Sequence, residues 1–212
     1  MKHIAHTTRT IALAFALVAT SAGAFATPIN SVENGGFETP SQNGGYKYLT
    51  GSVNGWTYAG SSGVAANNSG FNVANATGSQ AAFLQQNGAS ISQMFNFTKS
   101  LFSVSFDAES RNYGGGGNPL SVLVDDQLLS FAGLTTFTPG SKTSFTTYTS
   151  DLIALSNGNH TLRFIGLGGN GDVTSFIDNV KVNAVPEPLS LSLMGVGMLA
   201  LGASRRKKAN KA

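Results

Sequence analysis

Phe102-Ser-Val-Ser-Phe-Asp-Ala-Glu109 alternates without a break: Phe102, Val104, Phe106 and Ala108 are apolar, and Ser103, Ser105, Asp107 and Glu109 are polar. A period of two puts the first set on one face of an extended strand and the second on the other. A helix would scatter both sets around its axis. The same grammar extends outward. Leu120 to Val124 and Gln127 to Phe131 flank the polar couplet Asp125-Asp126 and predict a hairpin. Ser144 to Ser150 is rich in Thr, Tyr and Phe, and Asn157-Gly158-Asn159 is a turn leading into His160 to Ile165. Ser175 to Val182 supplies a last strand. Upstream, Gln80 to Gln85 and Ser90 to Phe97 are two more, separated by Asn87-Gly88. No stretch between residues 27 and 185 has a helical period. Many short strands with turn signals between them predict an all-β domain, a β-sandwich or jelly roll. The glycine clusters Gly44-Gly45, Gly114 to Gly117 and Gly166 to Gly171 fall between these strands and read as flexible loops. The tetraglycine lacks the Lys-Ser/Thr pair and following helix of a phosphate-binding loop.

Both ends of the 212-residue chain read differently. Lys2 and Arg9 precede an apolar run from Ile11 to Val18, and small residues close on Ala24-Phe25-Ala26. This order predicts a secretory signal peptide over 1–26, with the β-sandwich domain occupying 27–184. At the other end come Pro186-Glu187-Pro188, an apolar segment over 189–204 and a basic tail over 205–212 with Arg205, Arg206, Lys207 and Lys208. As a helix the apolar run is roughly 22 Å long, short for a hydrocarbon core of about 30 Å. The basic cluster would stay on the cytoplasmic side. The prolines keep the strip ahead of the helix extended and open to a protease.

The tripeptide, the transmembrane-like run and the basic cluster, in that order, resemble the PEP-CTERM sorting signal of Gram-negative bacteria, over 185–212. The resemblance implies transient anchoring in the inner membrane, an exosortase-type processing protease as partner, and export to the cell surface or an exopolysaccharide matrix.

The targeting ends also dominate the charge. The whole chain is +3, yet residues 27–185 hold six basic side chains against nine acidic ones, so no nucleic-acid footprint is present. There is no cysteine, which leaves the core, or a metal, to hold the domain. His160 is the one histidine beyond the leader, so a histidine metal cluster is impossible and a Ser-His-Asp triad would have to use it. Its place inside a strand pattern favours a plain strand residue. Asp107 with Glu109, and Asp125 with Asp126, are the carboxylate pairs open to hydrolytic chemistry. Neither has a context that marks an active site, and the expectation is no enzyme.

Asn34-Gly35-Gly36-Phe37-Glu38 opens the domain, Gly55-Trp56 follows, and Phe176-Ile177-Asp178-Asn179-Val180-Lys181-Val182 closes it. This set resembles the galactose-binding-like jelly rolls, which include many carbohydrate-binding modules. The resemblance implies that the first and last strands meet, often around a structural calcium. Glu38 and Asp178 would then be carboxylate ligands, with backbone carbonyls near Gly36 completing an oxygen shell. If Val180 and Val182 face the core, parity carries Asp178 inward with them, where a carboxylate needs a partner. The other reading is an aspartate that hydrogen-bonds backbone amides. Sugar contact, also implied by the resemblance, would use aromatic platforms. Tyr46, Tyr48, Trp56, Tyr58 and Tyr113 are candidates, with Arg111 and Asn112 beside the tetraglycine. Tyr113 is favoured for its place at the edge of a polar loop, whereas a Trp after Gly near the first strands is more often core than platform, and Trp56 is expected to be structural. The expected protein is a non-catalytic, exported jelly roll associating with extracellular polysaccharide. A purely structural surface or biofilm protein and a glycan-active hydrolase are the alternatives.

Overall fold

The computed structural model describes residues 27–29, 32–97, 100–140 and 142–185. The expected signal peptide, the tripeptide Pro186-Glu187-Pro188, the apolar segment 189–204 and the basic tail lie outside the described residues. Every regular element described is a strand, and no described helix is long and apolar enough to cross a membrane. In chain order they are β1 (Thr27–Ile29), β2 (Tyr46–Tyr48), β3 (Gly51–Val53), β4 (Trp56–Ala59), β5 (Ser62–Ala66), β6 (Gln80–Gln85) and β7 (Ser90–Phe97). There follow β8 (Ser100–Ser110), β9 (Leu120–Val124), β10 (Gln127–Leu128), β11 (Thr146–Thr149), β12 (Ile153–Leu155), β13 (Gly158–Gly166) and β14 (Thr174–Val185).

The strands form two antiparallel sheets. The eight-stranded sheet runs β11-β8-β14-β6-β5-β2, with β12 sharing the edge of β8 and β1 sharing that of β14. The six-stranded sheet runs β10-β9-β13-β7-β4-β3. The core lies between them, and β8 shows why. Its apolar set, Phe102, Val104, Phe106 and Ala108, is wholly buried against the facing sheet. Phe106 meets Phe164 of β13 edge-on at 5.0 Å, and Phe102 meets Phe97 of β7 at 5.4 Å.

Turn chemistry follows the backbone. Asp125 and Asp126 both have positive φ, 50° and 66°, as a two-residue hairpin turn between twisted strands demands. Of the expected partner strand only Gln127 and Leu128 pair with β9 in the ladder, although Leu129 stays buried and donates its N–H to Val122 O at 2.8 Å. Asn87-Gly88 separates strands that lie in different sheets, so it crosses the sandwich rather than closing a hairpin. Asn34–Glu38 is a turn rather than a strand.

The parity argument for Asp178 fails for a physical reason. A β-bulge interrupts the β14–β8 register between Asp178 and Lys181, with Asn179 at φ 50°. Val180 and Val182 therefore join the core, while Asp178 shares the opposite face with Phe176. That outer face is itself covered. The segment 67–79 folds over it and builds a second apolar cluster from Phe71, Val73 and Ala76 upon Ala65, Ala81, Phe83 and Phe176.

Candidate functional site

The outer face of the eight-stranded sheet is a set of cross-strand rows. One runs Tyr48, Gly63, Phe83, Phe176, Glu109 through β2, β5, β6, β14 and β8. Gly63 is glycine because a Cβ there would strike Lys47 O and the Phe83 ring. Without it, the Tyr48 and Phe83 rings meet edge-on at 5.0 Å. Phe71 arrives from the covering segment and stacks on Phe83 at 4.3 Å, with Tyr46 at 4.8 Å and Tyr48 at 5.9 Å. The Arg111 guanidinium lies 4.4 Å from the Phe71 centroid and 5.5 Å from that of Tyr113.

These rings are tied together by polar groups. Tyr48 Oη donates to Gln85 Oε1, Gln85 Nε2 donates to Asp172 Oδ1 at 2.7 Å, and Arg111 pairs with the same oxygen at 2.5 Å. One chain of contacts thus links Tyr48 at the sheet edge to Tyr113 in the tetraglycine loop. Tyr46, Tyr48 and Tyr113 remain 50, 46 and 64 % exposed, so the strip presents aromatic surface to solvent. Arg111 is buried and engaged, which makes it a support for the rings rather than an open contact. Burial raises the Tyr48 phenol pKa.

The tetraglycine is packed rather than loose. Gly115 N–H donates to Asp172 O and Thr174 N–H to Gly116 O, both at 2.8 Å, and a Cβ at Gly115 would come within 2.8 Å of Val173.

Three carboxylates hold the covering segment from below. Glu109 accepts from Ala74 N–H at 2.7 Å, Asp178 from Thr77 N–H at 2.8 Å, and Glu38 from Ser79 N–H at 3.0 Å and its hydroxyl at 2.5 Å. Asn67 closes the segment on itself through Ala76 and Gly78. Beside the strip a cleft of about 390 Å³ opens, lined among others by Asn68, Asn72, Asn75, Asn112 and Lys142.

The expected calcium ligands come near one another without forming a metal cluster. Gly35 O accepts from Val180 N–H at 2.9 Å, which brings the opening motif onto β14, and a Cβ on Gly36 would sit 3.7 Å from Asp178 Oδ1. Among the described residues no group of three or more His, Cys, Asp or Glu is arranged to hold a metal ion. Asp178 is wholly buried and bonded to the amides of Thr77 and Asn179. Burial pushes its carboxyl up to about 7; Asp107 and Glu38 add to the shift, and the amide hydrogen bonds oppose it.

Other expected candidates are placed elsewhere. Trp56 is wholly buried between Phe37 and Phe164 and donates from Nε1 to Asn34 O at 3.1 Å. It is a core residue and presents no platform; Tyr58 is buried too. Asn112 is exposed at the cleft. His160 Nδ1 meets Asp125 Oδ2 at 2.5 Å, an arrangement that resembles part of a triad, but its Nε2 faces the Ser156 carbonyl at 3.0 Å. Acceptors on both nitrogens favour the protonated ring, and the Asp125 hydrogen bond raises its pKa. Glu109 is buried beneath Ala74, and Asp107 accepts from Thr147 and Asn179. Sequence reasoning missed Phe71, Gln85, Asp172 and Lys142. The asparagine-dense run Asn67 to Asn75 around an isolated Phe71-Asn72-Val73 was the available signal for the covering segment.

Residues 184–207 match the PEP-CTERM protein-sorting motif. Among curated proteins none matches this sequence. In fold the chain is similar to the carbohydrate-binding module TmCBM61, solved in complex with β-1,4-galactotriose, at 19 % identity and TM-score 0.51, over 73 % of this chain and 98 % of that one. It is also similar to the CBM36-1 domain of a multidomain xylanase from the hindgut metagenome of Trinervitermes trinervoides, at 17 % identity and TM-score 0.45, over 62 % and 92 %. A third is the carbohydrate-binding module CBM36 in complex with calcium and xylotriose, at 13 % identity and TM-score 0.44, over 59 % and 92 %.

Proposed function

We propose that this is an exported, non-catalytic glycan-binding protein of the cell surface or exopolysaccharide matrix, sorted through its C-terminal motif and processed by an exosortase-type protease. The carrying observation is the strip of exposed Tyr46, Tyr48 and Tyr113 around Phe71, beside an amide-lined cleft. Tyrosine faces stack on sugar rings, and a few placed polar groups fix orientation. The strip is braced from beneath by Arg111, Asp172 and Gln85, so its geometry is set before a ligand arrives. The carboxylates open to hydrolysis are each engaged: Asp107 with Thr147 and Asn179, Glu109 with Ala74, Asp125 with His160 and Asp126 with Arg163. This supports binding rather than turnover.

Calcium at Glu38, Asp178 and the Gly36 region is part of the same reading. A buried Asp178 crowded by Asp107 and Glu38 is relieved by a cation, and oxygen donors suit calcium. The ion would brace the junction of the opening motif, β14 and the covering segment.

The test is a glycan array probed with wild type and with Tyr48→Ala and Tyr113→Ala. Binding to a defined glycan set, reduced at least tenfold by each substitution in variants that stay folded by circular dichroism, is expected. Absence of binding to any glycan would replace this reading with a structural surface protein, and release of shortened glycan would replace it with a hydrolase.

A further inference from the structure

Resting on that reading, we propose that the cleft beside the tyrosines takes a carboxylate-bearing sugar, and that Lys142 is the residue that selects it. Four side-chain amides, those of Asn68, Asn72, Asn75 and Asn112, line this cleft. None of the four makes a hydrogen bond to a described residue, although Asn67 next to them has its amide fully engaged within the segment. An amide offers both donors and an acceptor, which suits the hydroxyls of a pyranose ring. The segment holding three of them is fixed from below by Glu109, Asp178 and Glu38, so they are presented on a braced wall.

Lys142 changes what the cleft prefers. Its ammonium lies over the tetraglycine, where a Cβ on Gly116 would stand 3.6 Å from Nζ. Among the described residues no carboxylate pairs with it, and the ion pairs there use Arg111, His160 and Arg163. The nearby acid Asp172 is already matched by Arg111 at 2.5 Å. Glu109 stands behind the wall at Ala74, and burial pushes its carboxyl up to about 7, so below that pH it carries little opposing charge. The cleft therefore presents an ammonium without a carboxylate partner among the described residues, on a domain whose acids outnumber its bases. A neutral sugar gives that ammonium only dipoles. A uronic acid gives it a carboxylate, and a charge-assisted hydrogen bond is roughly twice as strong as a neutral one.

The experiment is calorimetry of the full chain in mild detergent with trigalacturonate and with its carboxyl-reduced counterpart, repeated for Lys142→Gln. The expected result is about tenfold tighter binding of the acidic trisaccharide, corresponding to about 1.4 kcal/mol. Lys142→Gln brings the ratio of the two affinities to about one. The preference also shrinks as salt rises from 50 to 500 mM, by way of an order-of-magnitude screen of exposed charge. Equal affinity for the two trisaccharides, or a preference that survives Lys142→Gln, overturns the assignment of Lys142 and leaves the glycan reading standing. Silence of both trisaccharides overturns it as well; if a glycan array is also silent, the glycan reading falls with it.

Discussion

Truncating Phe71 tests whether the covering segment is a structural second core or a loose loop. Phe71 is 4 % exposed and touches rings on four sides, from Phe83 at 4.3 Å to Phe176 at 6.1 Å. Deleting a buried Phe side chain costs about 3–5 kcal/mol. The segment can settle toward the gap, so the lower end, about 3 kcal/mol, applies to Phe71→Ala. Phe71→Leu keeps most of the apolar area but loses the aromatic pairs, each about 0.5–1.5 kcal/mol, and the Arg111 contact, about 0.5–2 kcal/mol. These terms overlap, and about 1.5 kcal/mol is expected for the leucine variant. Equilibrium urea unfolding followed by near-ultraviolet circular dichroism reads both. With a slope of about 2 kcal/mol per molar, the alanine midpoint falls by about 1.5 M and the leucine midpoint by about half that, at unchanged slope. A loss below about 1 kcal/mol for Phe71→Ala would refute the reasoning, since a segment carrying no packing energy could not brace the tyrosines.

Other consequences are equally measurable. The His160–Asp125 clasp makes stability fall on the alkaline side. The raised His160 pKa means its contribution is complete below the ordinary histidine value of about 6.5 and is lost as pH rises through the higher folded value. For Asp125, burial pulls upward but the His160 and Thr161 hydrogen bonds outweigh it, so its contribution disappears as pH falls through a lowered value. Melting curves from pH 2 to 9 should show a shallower acid loss and a shallower alkaline loss in Asp125→Asn than in wild type, over a slope that Glu109 and Asp178 give to both; identical profiles would sink the clasp. Millimolar calcium should raise the melting temperature by several degrees, chelator should reverse it, and Asp178→Asn should be insensitive to either. An unchanged wild-type melting temperature rejects the ion. Intact mass of the protein recovered from its native host should lack residues 1–26 and the residues after Pro188, whereas a mass retaining those C-terminal residues contradicts processing at the motif.

Strands in which one face meets the core were legible because burial on one side imposes a period of two. Phe102–Glu109 and Ser90–Phe97 announced themselves in this way. The run from β2 to β5 was not, since these strands are three to five residues long and β5 is buried on both faces, which erases alternation. Asn54-Gly55, with φ values of 46° and 87°, was the available hairpin signal between β3 and β4. The site was half legible. Tyr46, Tyr48, Tyr113 and Asn112 stand out as exposed polar-aromatic residues in loops or at an edge. Phe71, Gln85 and Asp172 do not, because their role comes from contacts 12 or more positions apart, such as Phe71 with Phe83 and Gln85 with Asp172 (87 positions), that no local pattern encodes. The placement of Asp178 was misread because a one-residue bulge reverses strand parity, and Asn179-Val180 gives little local sign of it.

The central claim is that an exported sandwich domain holds glycan on the tyrosine strip of its outer sheet face. Its most direct test is affinity electrophoresis of the native exported protein through gels containing the host's own extracellular polysaccharide. The account predicts strong retardation of the wild type and near-free migration of a Tyr48→Ala/Tyr113→Ala double variant that stays folded by circular dichroism. Equal mobility of wild type in gels with and without polysaccharide, or retardation that the double variant retains in full, would contradict it.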